Sequence, residues 1–393
     1  MCNRVSTRAT FRLLLLGSVG AVCLLAQDSA VPNCSVAVDV PNDAPVALLG
    51  ISNAPCSASA HGPALMLNLH LSLTLKNTGA NRIHGVTLRV VSQEVALGGV
   101  GSVYQPSLNV GPGDAFAVHI DTQLMRPAQL GGGPAVQVHL DGVLFQDLTF
   151  YGPDRLHSRR IMTASEMEAQ RDREYLKRLL ADQGIPALRE AMLRIQRRQE
   201  SIEAMPRLQG RVMPGGHSVT NAGVAMAGSG EHETHFAFLR FPDSPVDPVD
   251  GSIKIAGNQA SAPVIDVRNR SGKPVKYVEF SWMLTDPAGH NYMAGALPSS
   301  SANFSIAPGA TGSVRQDATL GFSAAGQPVS IQKIIGFVSQ VEFADGKMWV
   351  PTRRNLDDPA LANVLSPSIE EERLASMYVR KGIDAVIDEL KKF

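Results

Sequence analysis

Three histidines fall on the polar phase of apolar alternations: His70, His119 and His139. Imidazoles on neighbouring strands of one sheet face can share a divalent metal such as zinc. Three separately solvated rings on a sheet surface are the other reading, and nothing in the sequence requires a metal or a cofactor. His232-Glu233-Thr234-His235 lacks the helical zinc signature, which needs two histidines four apart, and reads as a solvated loop beside a linker. Asp114, Asp121, Asp141 and Asp147, together with these histidines, form the densest set of acid and base groups. Convergence of such groups in one cleft would suit hydrolysis. No Gly-x-Ser-x-Gly elbow, phosphate loop or Cys-x-x-Cys is present. Gly98-Gly99-Val100-Gly101 and Gly131-Gly132-Gly133 lack the strand-then-helix context of a dinucleotide site and read as loops.

The cysteines point to an oxidising compartment. Cys2 and Cys23 lie in an N-terminal segment with Arg4, Arg8 and Arg12, followed by the apolar run Leu13 to Ala26. That run is signal-peptide length and short for a membrane span, which needs roughly 20 residues. Residues 1–26 are therefore expected to be a signal peptide, with an uncleaved anchor as the alternative. Lipidation at Cys23 is disfavoured by Val22 before it. Cys34 and Cys56 would then form one disulfide, closing a loop worth about 3 kcal/mol by chain-entropy reasoning.

The elements that position these groups come from a repeat. Lys76 to Val86 lines up with Arg268 to Val278, and Leu108 to Gly113 with Phe304 to Gly309. Val143, Phe145, Asp147, Tyr151 and Pro153 meet Val341, Phe343, Asp345, Trp349 and Pro351. Leu65 to Lys76 alternates leucine with other residues, the period of a strand with one apolar face. Val86, Leu88 and Val90 continue after a turn, as do Val278, Phe280, Trp282 and Leu284 in the second copy. Short alternating strands between Gly and Pro breaks predict an antiparallel sandwich, with an open barrel as the alternative. Trp282 is in phase with the core, and Trp349 is expected there too.

The set Asn269, Ser271, Gly272, Pro308, Gly309, Val341, Phe343, Asp345, Gly346 and Trp349 resembles exported bacterial immunoglobulin-like modules of the FxLYD kind. The first copy departs at Leu148, where Gly346 stands in the second. The resemblance covers roughly 65–153 and 263–351. It implies Ig-like sandwiches with adhesive or scaffolding roles and brings no catalytic residues.

Each copy continues into helices. Thr163-Ala164-Ser165-Glu166 has the capping-box pattern. Leu176, Leu179, Leu180, Gly184, Ile185, Ala187 and Leu188 meet Leu374, Met377, Tyr378, Gly382, Ile383, Ala385 and Val386 at one shared offset. This predicts a helical hairpin after each sandwich, docked on its own sandwich or on a partner. The arginines from Arg155 to Arg198 form either a solvated face balanced by Glu166, Glu168, Glu174 and Glu190 or a site for an anionic partner.

The expected order is a signal peptide (1–26), a first sandwich (33–155), a helical hairpin (163–205), a flexible linker (206–234), a second sandwich (235–353) and a C-terminal helical hairpin (366–393). The fold class is mainly β with helical additions. Lys plus Arg equals Asp plus Glu, 36 each, so no general pull on nucleic acid or anionic lipid is expected. No apolar run after the leader is long enough to span a membrane. The function expected is non-enzymatic: an exported, periplasmic or extracellular binding or scaffold protein with a protein or envelope-polymer partner. A hydrolase with its site in the loops of the first sandwich is the alternative.

Overall fold

The computed structural model describes residues 35–52, 56–94, 98–127, 134–204, 208–213, 230–299, 303–362 and 364–393. The expected signal peptide, Cys34 and Gly131 to Gly133 lie outside them.

The first copy contains β1 (Val36–Asp39), β2 (Val46–Ser52), β3 (Ser57–His61), β4 (Ala64–Asn77), β5 (Ile83–Val91), β6 (Val100–Gln105), β7 (Ala115–Pro127), β8 (Val136–Phe145) and β9 (Phe150–Tyr151). One sheet runs β1-β8-β5-β6, with β9 on β8. In the other, β2, β3 and β7 all pair with β4. Alternate residues of β4, from Leu67 to Leu75, close one core with Val86, Leu88, Val136 and Val138 of the facing sheet. The alternation read in the sequence therefore lies between two sheets. Gly101 is in β6, within a stretch expected to be loop.

The long helix α1 (Ser158–Ala204) follows. The second copy contains β10 (Leu208–Met213), β11 (His232–His235), β12 (Ala237–Phe238), β13 (Val246–Ala256), β14 (Gln259–Asn269), β15 (Val275–Thr285), β16 (Asn291–Pro298), β17 (Thr311–Arg315), β18 (Thr319–Ala324), β19 (Gln327–Pro328), β20 (Lys333–Phe343) and β21 (Met348–Trp349). The chain ends in α2 (Arg353–Leu356), α3 (Pro359–Ala362), α4 (Ile369–Lys381) and α5 (Ile383–Leu390). The same pairings recur: β12-β20-β15-β16 with β21 on β20 in one sheet, and β13-β14-β17 within the other.

The recurrence reaches single residues. Val143 faces Tyr151 and Val341 faces Trp349. Isolated bridges join Ile83 to Val110 and Val275 to Ile306. The departure at Leu148 keeps the turn: Leu148 has φ 65° and Gly346 has φ 79°. A leucine held left-handed is strained by about 1–2 kcal/mol, partly offset by the greater unfolded freedom of glycine. Leu148→Gly is expected to stabilise the chain by about 0.5–1 kcal/mol, measured as a shift of the urea midpoint at constant slope.

Three expectations change here. The segment 206–234, read as a flexible linker, supplies β10, which pairs along its length with β18, and β11, which pairs with β13. The histidines at 232 and 235 are thus in a strand rather than a loop. Thr163 to Glu166 is not a helix start, because α1 begins at Ser158 and Thr163 bonds back to the Arg159 carbonyl at 2.8 Å. The turn before α1 is held instead by the carboxylates of Asp141 and Asp154, which accept from the backbone of Arg155 and Arg159. A complete capping box does occur at the second copy's helix, between Ser368 and Glu371.

The helices also dock in a way that the sequence did not show. α1 is bent at Gly184 (φ 78°, ψ −173°), and the α4–α5 junction at Gly382 has φ 83° and ψ −180°. Glycine alone adopts that backbone without strain. The two bent pairs bury their apolar stripes in each other: Leu176, Leu188, Met192 and Ile195 against Leu374, Ala375, Val386 and Leu390. The hairpins are one another's partners, and they close a third core between the copies.

Candidate functional site

In the β1-β8-β5-β6 and β12-β20-β15-β16 sheets the inner strands are covered on both faces over much of their length. In β5 every residue but Arg89 is buried, because Met162 and Glu166 of α1 lie on its outer side. In the second copy, Arg160 stacks over the ring of Tyr277, 3.6 Å from its centroid, and Arg159 and Arg160 both bond the buried Glu342. The first half of α1 therefore packs against a sheet from each copy. By contrast, β4 from Leu67 to Asn77 and β14 from Pro263 to Asn269 alternate buried and open positions, as expected of strands with one bare face.

This arrangement separates the three histidines. His70 faces Asp121 and His119 faces Ser72 across β4 and β7, so both rings stand on the bare face of one sheet. His139 lies in the facing sheet, on the opposite side of the core, where its Nδ1 is 3.2 Å from Asp39. That geometry does not bring all three onto one surface, the condition on which a shared metal depended. His70 instead pairs with Asp121 at 2.9 Å, both exposed. Among the described residues, no group of three or more His, Cys, Asp or Glu side chains is placed to hold a metal.

The aspartates are likewise dispersed. Asp114 accepts from the Gly111 amide and Asp147 from the Thr149 amide, both within turns. Asp141 is buried and ties β8 to the start of α1 through Arg155, Leu156 and Ser158. Cys56 packs against the first core. Trp282 is in the second core, whereas Trp349 lies at its margin, with its indole nitrogen 3.4 Å from Asp243.

The strongest electrostatics were not anticipated. His84 Nδ1 lies 2.8 Å from Glu166, and Arg173 bonds Glu166 at 2.5 Å and approaches Glu370 at 3.3 Å, all within the interior. The ring of Phe393, the last residue, stacks on Arg173 and meets His84 edge-on. A second group joins Asp172 to Arg171, Arg353 and Ser368. Glu371 bridges Arg198 and Arg353. The arginine run read as a solvated face or an anion site is thus in part the internal glue between the copies. One sequence signal was available: Asp172 and Glu370 each stand four residues before the equivalent Leu176 and Leu374.

Glu168, half-buried nearby, is pushed up to about 7 by burial; Arg171 pulls it down, while Asp172, Glu371 and Glu279 raise it. A carboxyl whose folded pKa exceeds its unfolded value of about 4.3 loses stabilisation as pH rises between the two. Glu168→Gln removes that slope. The melting temperature of the variant is expected to gain on the wild type from about pH 5 to about pH 7.5. A constant gap would show that Glu168 titrates normally.

No family model matches this chain, and no curated protein matches it. Two solved structures are among those it is weakly similar to. Red sea bream transglutaminase is 8% identical over 78% of this chain and 31% of its own, with a TM-score of 0.12. A beta-glucosidase from Kluyveromyces marxianus is 10% identical over 72% and 45%, with a TM-score of 0.15. The chain spans less than half the length of either, and likenesses this low define no shared fold. Among the described residues, no helix is long and apolar enough to cross a membrane.

Proposed function

We propose that this chain is a non-enzymatic, exported binding or scaffold protein built from two Ig-like sandwiches of the FxLYD kind. In this reading residues 1–26 direct export, and Cys34 and Cys56 form a disulfide at the edge of the first unit. The partner is a protein or an envelope polymer, engaged by the bare sheets.

One observation carries the reading. Both copies have the same β-bulge on the strand that pairs with the end of β4 or β14: the register shifts between Leu48 and Gly50, and between Pro248 and Asp250. The bulged residues, Leu49 and Val249, are 58% and 53% exposed. A bulge turns a side chain out of the pleat and leaves backbone groups unpaired. An exposed aliphatic repeated at the same place on both bare sheets suits recognition by strand addition or by an apolar contact.

Affinity purification of the mature protein from its native envelope or medium tests this, with Leu49→Asp/Val249→Asp alongside. The expected result is a reproducible partner that the double variant loses while its stability stays within about 0.5 kcal/mol of the wild type. Equal capture by the variant, or release of product from a panel of envelope polymers, would overturn it; the latter outcome would favour a hydrolase. Non-reducing mass spectrometry checks the disulfide, and two free thiols would remove it.

A further inference from the structure

A cavity of about 410 Å³ opens where the second half of α1 meets α2. Its walls carry Arg194, Arg197, Arg198 and Arg353 against one carboxylate, Asp357. On α1 the positions Ala191, Arg194, Ile195, Arg198 and Ile202 recur every three or four residues, so one helical stripe faces the opening. The same wall therefore alternates guanidinium and aliphatic surface. Tyr175, Ile195 and Leu356 supply the apolar part.

The cations are held in place. Glu371, buried behind the wall, accepts from Arg198 at 2.6 Å and from Arg353 at 2.5 Å. Arg353 also rests over Tyr175, 4.7 Å from the ring centroid. Neither Nε has a hydrogen-bond partner among the described residues, that of Arg353 lying 3.6 Å from Asp357. Arg194 is only loosely engaged, at 3.4 Å from the exposed Glu190, and Arg197 donates its Nε to the Leu193 carbonyl. Of the charged side chains that line the opening four are arginines and one, Asp357, is a carboxylate; Glu371, Glu190 and Asp172 neutralise the arginines from behind or beside the wall and leave Arg197 without an ion pair among the described residues. Fixed guanidinium groups beside an apolar floor favour an anion with an attached hydrophobic body. The volume is that of a small-molecule site, and it lies apart from the bare sheets on which the scaffold reading rests.

We infer that this cavity binds a small amphipathic anion: a carboxylate, phosphate or sulfonate head held by the arginines, with its apolar body on Tyr175, Ile195 and Leu356. The head group can belong to a free amphiphile or to a lipid, and the experiment separates the two.

The full chain is titrated with 1-anilinonaphthalene-8-sulfonate, followed by fluorescence, and the dye is then displaced with dodecanoate or dodecylamine. Dodecanoate is expected to displace it at a concentration at least about tenfold lower than dodecylamine, since a charge-assisted pair contributes on that scale. Arg194→Gln/Arg197→Gln removes exposed charge, and Ser201→Trp fills the cavity while keeping all four arginines. Both are expected to weaken dye binding at least about fivefold with an unchanged urea midpoint. Capture of phosphatidylglycerol vesicles that is lost in both variants assigns a lipid head group. Displacement by dodecanoate without vesicle capture assigns a free amphiphile. Equal displacement by dodecylamine, or dye binding unaffected in either variant, would overturn the inference.

Discussion

Arg173→Met should destabilise the chain by about 3–5 kcal/mol and should do so for both copies at once. The arginine is almost wholly buried and lies between Glu166 and Glu370, which are buried as well. Removing it leaves Glu166 with only His84 and Gln170 and takes from Glu370 one of its two cations, Arg373 remaining, with the aromatic face of Phe393 uncovered. The cost is mostly that of uncompensated buried charge, so Glu166→Gln added to Arg173→Met should recover part of it. The pH dependence has a definite sign. Burial raises Glu370, but its bonds to Arg373 and the nearby charge of Arg173 outweigh that and hold it below the usual carboxylate range. A depressed carboxyl stabilises the folded state above its unfolded pKa and loses that contribution as pH falls through the folded one. The gap between wild type and variant should therefore narrow in acid. The decisive readout is cooperativity. If the copies were beads on a linker, urea would reveal one shifted and one unshifted transition. A single shifted transition is expected, because Arg173 sits in the core that the two helical pairs close together.

Much of the β architecture was legible because it obeys short-range rules. The leucines of β4 alternate, the turns carry Gly and Pro, and the internal alignment already paired Ile83 with Val275 and Val110 with Ile306. The helices were legible as helices, with the bend at Gly184 and Gly382 marked by the glycine itself. What they pack against was not, since an amphipathic stripe carries no address. The stripes of Leu176 and Leu374 look alike because they meet each other. The same limit hid the centre of the molecule. Glu166 fits a capping box by spacing, yet the helix starts earlier and its carboxylate turns inward to His84 and Arg173, a contact across 82 residues of sequence. His139 was grouped with His70 and His119 because strand phase says which face of its own sheet a side chain takes, and not which of two sheets holds the strand. The cavity beside α2 was foreshadowed only by the density of arginines, whose division between internal pairs and open wall needs the fold. β10 was missed for a different reason: an edge strand that pairs on one side needs little apolar alternation of its own.

Asn77→Ala and Asn269→Ala should each cost about 2–4 kcal/mol, and the two should be close to equal and additive. Both side chains are fully buried at the end of a strand. Asn77 donates to the carbonyls of Asn81 and Val110 and accepts from the Gly79 amide. Asn269 donates to those of Lys273 and Ile306 and accepts from the Ser271 amide. Each asparagine thus satisfies three backbone groups and fastens the turn after its strand to the connection whose residue, Val110 or Ile306, bridges to Ile83 or Val275 in the facing sheet. Alanine leaves those groups short of partners, and the loss of paired groups in the interior is what sets the magnitude. Equal costs follow from the duplicated geometry, although the turn in the second copy has an additional tie in the Ser271 hydroxyl, which bonds both the Asn269 side chain and the Lys273 carbonyl. If that tie holds the turn by itself, Asn269→Ala will be the milder of the two by roughly one hydrogen bond, about 1 kcal/mol. Aspartate is the sharper probe. It keeps the acceptor for the turn amide but removes both donations and faces a carboxylate toward two carbonyls, so it should cost at least as much as alanine at either position. Urea midpoints for the two alanine variants and their double mutant measure this directly, and a negligible loss at either site would mean that the bridge between sheets does not depend on the asparagine.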